Sequence, residues 1–225
     1  MIFFDIDETL MDNNSAQTSA AIKFYKKFEE LKLLYSETDF SNIWSQATEA
    51  GIQLFLQNKI SLQEQRRVRL REIFQKVISD SEADELFKIY FNFYKEGWTL
   101  FKDVIPCLDY FSNEKLGIIS NGDSDQQRQK LKDLKIFDRF NSITISSDIG
   151  IHKPDKELFF YACKQAEEKP EECFYISDNF EADMIGAKNA RITGIWLNRN
   201  NSKAKNKNAI QIQNLYELKN RINPN

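Results

Sequence analysis

Histidine occurs once in the 225 residues, at His152, and cysteine three times, at Cys107, Cys163 and Cys173. The cysteines have no metal-type spacing, and their odd number argues against a disulfide framework. A reduced, cytoplasmic setting fits. His152 stands in a predicted loop beside Lys153 and reads as structural or solvent-facing rather than catalytic, despite its near-neutral titration. No sign of charge dominates: 31 basic against 34 acidic residues leave a net charge of −3. Nothing there suggests a surface for a nucleic-acid polymer. No apolar run approaches the roughly 20 residues of a membrane span. Polar acids begin at Asp5, so no signal peptide is expected. There is no internal repeat. Proline is scarce, with four in the chain, and none falls between Ser15 and Gly97, where the one internal glycine is Gly51.

What is present divides in two. Met1–Phe4 is a short apolar run of the kind found in a parallel sheet's buried interior. It is followed by a block with apolar residues at helical spacing, such as Ile22, Tyr25, Phe28 and Leu31. Helices are predicted over 16–33, 40–57, 62–77 and 82–95, with Ser61 and Glu64 as a capping box for the third and Ser81 capping the fourth. The aromatic residues Phe24, Tyr25, Phe28, Tyr90, Phe91, Phe93 and Tyr94 read as this block's core rather than a base-stacking platform. Arg66, Arg67, Arg69 and Arg71 share one helix and are expected mostly to be solvated or paired with acids such as Glu64 and Glu72, with contact of one of them to a substrate as the minor alternative.

From Trp98 onward strand and helix alternate. Strands are predicted at 116–120, 142–146, 173–177, 194–197 and 210–212, and helices at 103–113, 125–134, 156–167, 181–190 and from the last strand to 222. Pro106 is tolerable in its helix because it falls in the first turn. The basic stretch Lys203–Lys207 reads as a solvated loop. The alternation calls for an α/β fold, a doubly wound parallel sheet. The core is expected over 1–14 and 98–225 and the helical insertion over 15–97.

Four predicted strand ends carry polar groups. The first gives Asp5, Asp7 and Thr9. The second gives Ser120 and Asn121, with Gly122 allowing close backbone approach. The loop after the third gives Lys153, fixed by Pro154. The fourth gives Asp178 and, a turn later, Asp183. A sheet of this kind gathers such groups at its carboxyl edge. Carboxylates there suit Mg²⁺, while a lysine, hydroxyls and backbone amides suit an oxyanion. Together they describe a site for a phosphoryl group.

Asp5-Ile-Asp-Glu-Thr9, Ser120-Asn-Gly122, Lys153-Pro154 and Asp178-(x)4-Asp183 resemble motifs I to IV of the haloacid dehalogenase superfamily. The helical block resembles its C1 cap, and the nearest likeness is to pyrimidine 5′-nucleotidases. The resemblance implies a Rossmann-like core with an inserted all-helical cap that closes over a small phosphorylated metabolite, probed first as a nucleoside 5′-monophosphate; the alternatives are a phosphosugar or other phosphometabolite, or a protein on this fold that binds a ligand or partner with little turnover. Asp5 would be the nucleophile, forming an aspartyl-phosphate, and Asp7 the general acid and then base. The Asp7 backbone carbonyl, with Asp5 and Asp178, would hold Mg²⁺, and Asp183 would support that set. Thr9, Ser120, Asn121 and Lys153 would bind phosphoryl oxygens. Members that cleave carbon–halogen bonds lack an acid at the Asp7 place, so its presence favours phosphatase chemistry. Ser177 and Arg191 stand where the family usually has glycine.

Overall fold

The computed structural model describes residues 1–57, 59–202 and 209–222. The basic stretch 203–207 lies outside the described residues. The chain divides into two compact units, Met1–Asp12 with Thr99–Asn225, and Asn13–Trp98.

Strand β1 (Ile2–Phe4) is wholly buried. The second unit follows, with helices α1 (Asn13–Lys27), α2 (Glu29–Leu34), α3 (Glu37–Leu56), α4 (Leu62–Phe74) and α5 (Asp80–Glu96). The single helix expected over 16–33 is broken at Phe28, whose backbone is extended (φ −114°, ψ 111°). Ser61 caps α4 by accepting the Glu64 N–H at 3.1 Å. Ser79, not Ser81, caps α5, accepting the Glu82 N–H at 3.2 Å. Both serines satisfy an N–H that a helix start leaves without an internal partner. The centre of the unit is aromatic. Trp44 lies 5.3 Å from Phe24 and 4.3 Å from Tyr90, centroid to centroid. All three rings are buried, so they form packing surface.

The other unit resumes with α6 (Val104–Tyr110), β2 (Leu116–Ser120), α7 (Ser124–Asp133), β3 (Ser142–Ile145), a single turn α8 (Ser146–Ile149) and α9 (Lys156–Gln165). Then come β4 (Phe174–Ser177), a π-helical turn Phe180–Met184, α10 (Ile185–Asn189), β5 (Thr193–Leu197), β6 (Ile210–Ile212) and a 3₁₀ segment Leu215–Asn220. The predicted helix 181–190 is therefore half π-helical, and the predicted C-terminal helix is 3₁₀. The six strands are all parallel, in the order β3-β2-β1-β4-β5-β6.

That order is the doubly wound one, with its switch point between β1 and β4, where such sheets open a crevice at their carboxyl ends. Register fixes what lies there. Phe4 pairs with Ile118 and with Ile176, so Asp5, one residue past β1, comes level with the ends of β2 and β4. Asp5 stays tied to the sheet, its N–H donating to Ile176 O at 3.0 Å. Among the described residues no helix is long and apolar enough to cross a membrane.

Candidate active site

Each strand end delivers its side chain through a short local device. Past β1, Glu8 takes a left-handed backbone (φ 58°), which turns the chain so that the Leu10 and Met11 N–H groups both return to Ile6 O at 2.9 Å. Past β2, Gly122 adopts φ 134°, open to glycine and strained for any other residue. Past β3, Asn121 staples the next loop by a two-way contact: its Oδ1 accepts the Lys153 N–H at 2.9 Å and its Nδ2 donates to Lys153 O at 3.3 Å.

Lys153 is thereby set among carboxylates. Its ammonium lies 3.0 Å from Asp5 Oδ1 and 2.8 Å from Asp183 Oδ1, and donates to the Tyr175 hydroxyl at 3.0 Å. Burial works against its charge, but Asp183 and Asp5 outweigh that and raise its proton affinity above the ordinary lysine value. Asp183 is almost fully enclosed. Ser177 Oγ donates to its Oδ2, and the Tyr175 hydroxyl is 3.2 Å from its Oδ1. Ser177, at a position where glycine was the expectation, thus fastens the acid.

The carboxylates of Asp5, Asp178 and Asp183 offer oxygens all within 4.8 Å of one another. Burial chiefly, with the charges of Asp5 and Asp183, pushes the Asp178 carboxyl up to about 8. Burial also raises Asp5 to about 6, against the pull of Lys153. One lysine does not balance three crowded carboxylates. A hard dication, which takes oxygen ligands, relieves both the crowding and the excess charge. The donor set therefore fits Mg²⁺, which Asp5 and Asp178 would hold. The oxygens of Asp183 are occupied by Lys153, Tyr175 and Ser177, which suits it to supporting the group.

Thr9 and Asp7 are each engaged by protein partners. Thr9 was expected at the phosphate, yet it is fully buried. Its Oγ1 accepts the Asp178 N–H at 3.1 Å and lies 3.4 Å from Asp178 Oδ1. It joins the β1 loop to the β4 loop instead of facing a ligand. The Asp7 carboxylate is held on both oxygens, by Lys130 Nζ at 2.6 Å to Oδ1 and by Gln127 Nε2 at 2.9 Å to Oδ2. Gln127 Nε2 is also 3.0 Å from Ser120 Oγ, so one amide lies between the expected acid and the expected phosphate ligand. His152 lies 2.9 Å from Ser146 Oγ, which in turn accepts the Gly122 N–H at 3.1 Å, a loop-to-loop link.

Sequence reasoning missed Lys130, Gln127, Tyr175 and Arg199. Arg199 pairs with Asp103 at 2.8 Å and donates to Thr9 O at 2.9 Å, bracing the β1 loop. Lys130 and Gln127 had a signal. They stand three residues apart and share a helix face with Leu131 and Leu134, so polar groups occupy core-facing positions. Tyr175 and Arg199 carry no such mark, because their partners are far away in sequence.

The chain matches the haloacid dehalogenase-like hydrolase family over residues 1–191 and belongs to it. It is a phosphatase-like hydrolase of that family. Among curated relatives it is 28% identical over 200 residues to the pyrimidine 5′-nucleotidase YjjG of Escherichia coli, covering 88% of this chain and 85% of the relative. It is 23% identical over 205 residues to the human N-acylneuraminate-9-phosphatase, covering 88% and 82%. Among solved structures, the magnesium-bound HAD-hydrolase YfnB of Bacillus subtilis superposes with a TM-score of 0.82 at 23% identity, over 99% of this chain and 98% of that one. That likeness is one of fold.

Proposed function

We propose that this chain is a Mg²⁺-dependent phosphatase that hydrolyses a small phosphorylated metabolite through an aspartyl-phosphate on Asp5. One observation carries the reading: three carboxylates within 4.8 Å of one another, with Lys153 among them 3.0 Å from Asp5 Oδ1. Phosphoryl transfer depends on positioning and charge neutralisation, and this cluster supplies both. Lys153 and Ser120 orient the phosphoryl oxygens. An Asp5 oxygen attacks phosphorus as the bond to the leaving oxygen breaks, and Asp7 delivers the proton that this oxygen takes. Water then attacks the aspartyl-phosphate, Asp7 accepts its proton, and phosphate departs with the Asp5 carboxylate restored. Asp5, Asp178 and the Asp7 carbonyl would hold Mg²⁺, which when bound would supply the charge screening that lets one anion approach another.

Nucleoside 5′-monophosphates are the first substrate class to assay, supported by the likeness to the YjjG nucleotidase. A phosphosugar or other phosphometabolite is the alternative. A panel of phosphorylated metabolites with Mg²⁺, run beside p-nitrophenyl phosphate and 2-chloropropionate, tests the reading. Phosphate release that is lost on chelation is expected, with no chloride. Chloride release, or no phosphate from any ester, overturns it.

A further inference from the structure

The helical unit holds a cation that its own residues do not balance. The four arginines of α4 have different surroundings. Arg67 pairs with Asp80 and with Asp84, each at 2.7 Å. Arg71 pairs with Glu64 at 2.7 Å and with Asp80. Arg66 lies over the Phe87 ring at 4.8 Å. Arg69 is the one of the four that is buried, with 6% of its surface exposed. Among the described residues it makes no ion pair, and its Nε is enclosed without a hydrogen-bond partner. The groups that act on it electrically are Tyr90, Arg66 and Tyr94, and none is a carboxylate.

A second donor is stranded beside it. Gln65 stands one turn earlier on the same face of α4, is 2% exposed, and has an enclosed Nε2 with no partner. Its place depends on Gly51 of α3, where a Cβ would come within 2.9 Å of Gln65 Cγ and 3.0 Å of its Nε2. The wall is aromatic. The Arg69 guanidinium is 5.6 Å from the Trp44 ring centroid, and Tyr90 packs on Trp44.

Burial brings Arg69 down to about 10, so it remains charged at neutral pH. A buried charge is costly unless paired, and a buried donor is costly unless bonded. Ring faces offset part of that cost but carry no net negative charge to balance the cation. The missing complement has negative charge and at least two acceptor oxygens, the pattern that a guanidinium fork binds best. A neutral carbonyl would satisfy a donor and leave the charge unbalanced.

We infer that Arg69, assisted by Gln65, anchors an oxyanion-binding site in the helical unit that takes a carboxylate or phosphate group. The group is that of a free small anion, so the site does not rest on the phosphatase reading above.

The test uses the whole protein labelled with 5-fluorotryptophan. The Trp44 resonance is assigned by Trp44→Phe and followed by ¹⁹F NMR as sodium succinate or inorganic phosphate is added. A saturable shift of the Trp44 resonance is expected, abolished in Arg69→Met and weakened in Gln65→Leu. Gln65→Leu keeps the question open to refutation should Arg69→Met fail to fold. A Trp44 resonance that neither anion moves, or a shift that persists unchanged in Gln65→Leu and Arg69→Met, overturns the site.

Discussion

Lys153 Nζ lies 3.0 Å from Asp5 Oδ1, which pairs the β3 loop with the end of β1, and 2.8 Å from Asp183 Oδ1, a second acid that remains when Asp5 is replaced. Asp5→Asn keeps the side chain's size and leaves Lys153 neutralised. Turnover should vanish while thermal unfolding remains cooperative. Activity at the wild-type level in that variant would end the nucleophile assignment.

The same crowding predicts how the metal-free protein responds to pH. A free aspartate loses its proton near 3.8, while folded Asp178 keeps it until about 8. Between those values the folded state binds more protons than the unfolded one, so stability falls as pH rises. It is fully retained below the lower value. Tm measured with chelator should therefore decline from about pH 5 to about pH 8, with a loss on the order of a few kcal/mol. On the proposed Mg²⁺ reading, the ion should bind the folded state's deprotonated carboxylates and raise Tm more at pH 8 than at pH 5. A Tm that rises with pH under chelation contradicts this account of the cluster.

The core's architecture was legible because its signals are local. Each apolar strand ends in a polar turn, and alternation of strand with helix dictates a parallel sheet. Asp5, Asp178, Asp183 and Lys153 could be placed from strand ends alone. Thr9 was misread because a hydroxyl after a strand looks the same whether it faces a ligand or, as here, closes onto Asp178 from 169 residues away. The break at Phe28 was hidden because the apolar period continues through it. Arg69 could not be told from Arg67 and Arg71 by spacing. The acids that pair with those two lie on α4 itself and at the start of α5, and only folding shows which arginine they leave without a partner.

Lys130 offers a test of how Asp7 is placed. It is buried, and with Gln127 it fixes both oxygens of Asp7. A general acid and base contributes roughly 10²–10⁴-fold, and Asp7→Asn should forfeit that. Lys130→Met leaves the acid present and held at one oxygen only, by Gln127, so its loss should be smaller. It should also depend on the leaving group: an alkyl phosphate, whose oxygen needs a proton, should suffer more than p-nitrophenyl phosphate. Equal losses on the two esters would make Lys130 a structural lysine only.

The two positions where the family resemblance leads one to expect glycine should respond in opposite ways. Ser177 is fully buried and donates to Asp183. Ser177→Gly strands that carboxylate oxygen, at a cost of about 1–3 kcal/mol, and loosens the support of Lys153, so both Tm and kcat should fall. Arg191 sits at φ 64°, a left-handed backbone, with an exposed pairing to Glu171 at 3.2 Å. The conformation costs a non-glycine residue roughly 1–2 kcal/mol. Against that stand about 0.4–1 kcal/mol of unfolded-state entropy that glycine adds and an exposed pair worth about 0–1 kcal/mol. The balance is small and favours glycine, so Arg191→Gly should raise Tm by about 1–2 °C with turnover unchanged. A lowered Tm there would mean that the Glu171 pairing outweighs the backbone strain.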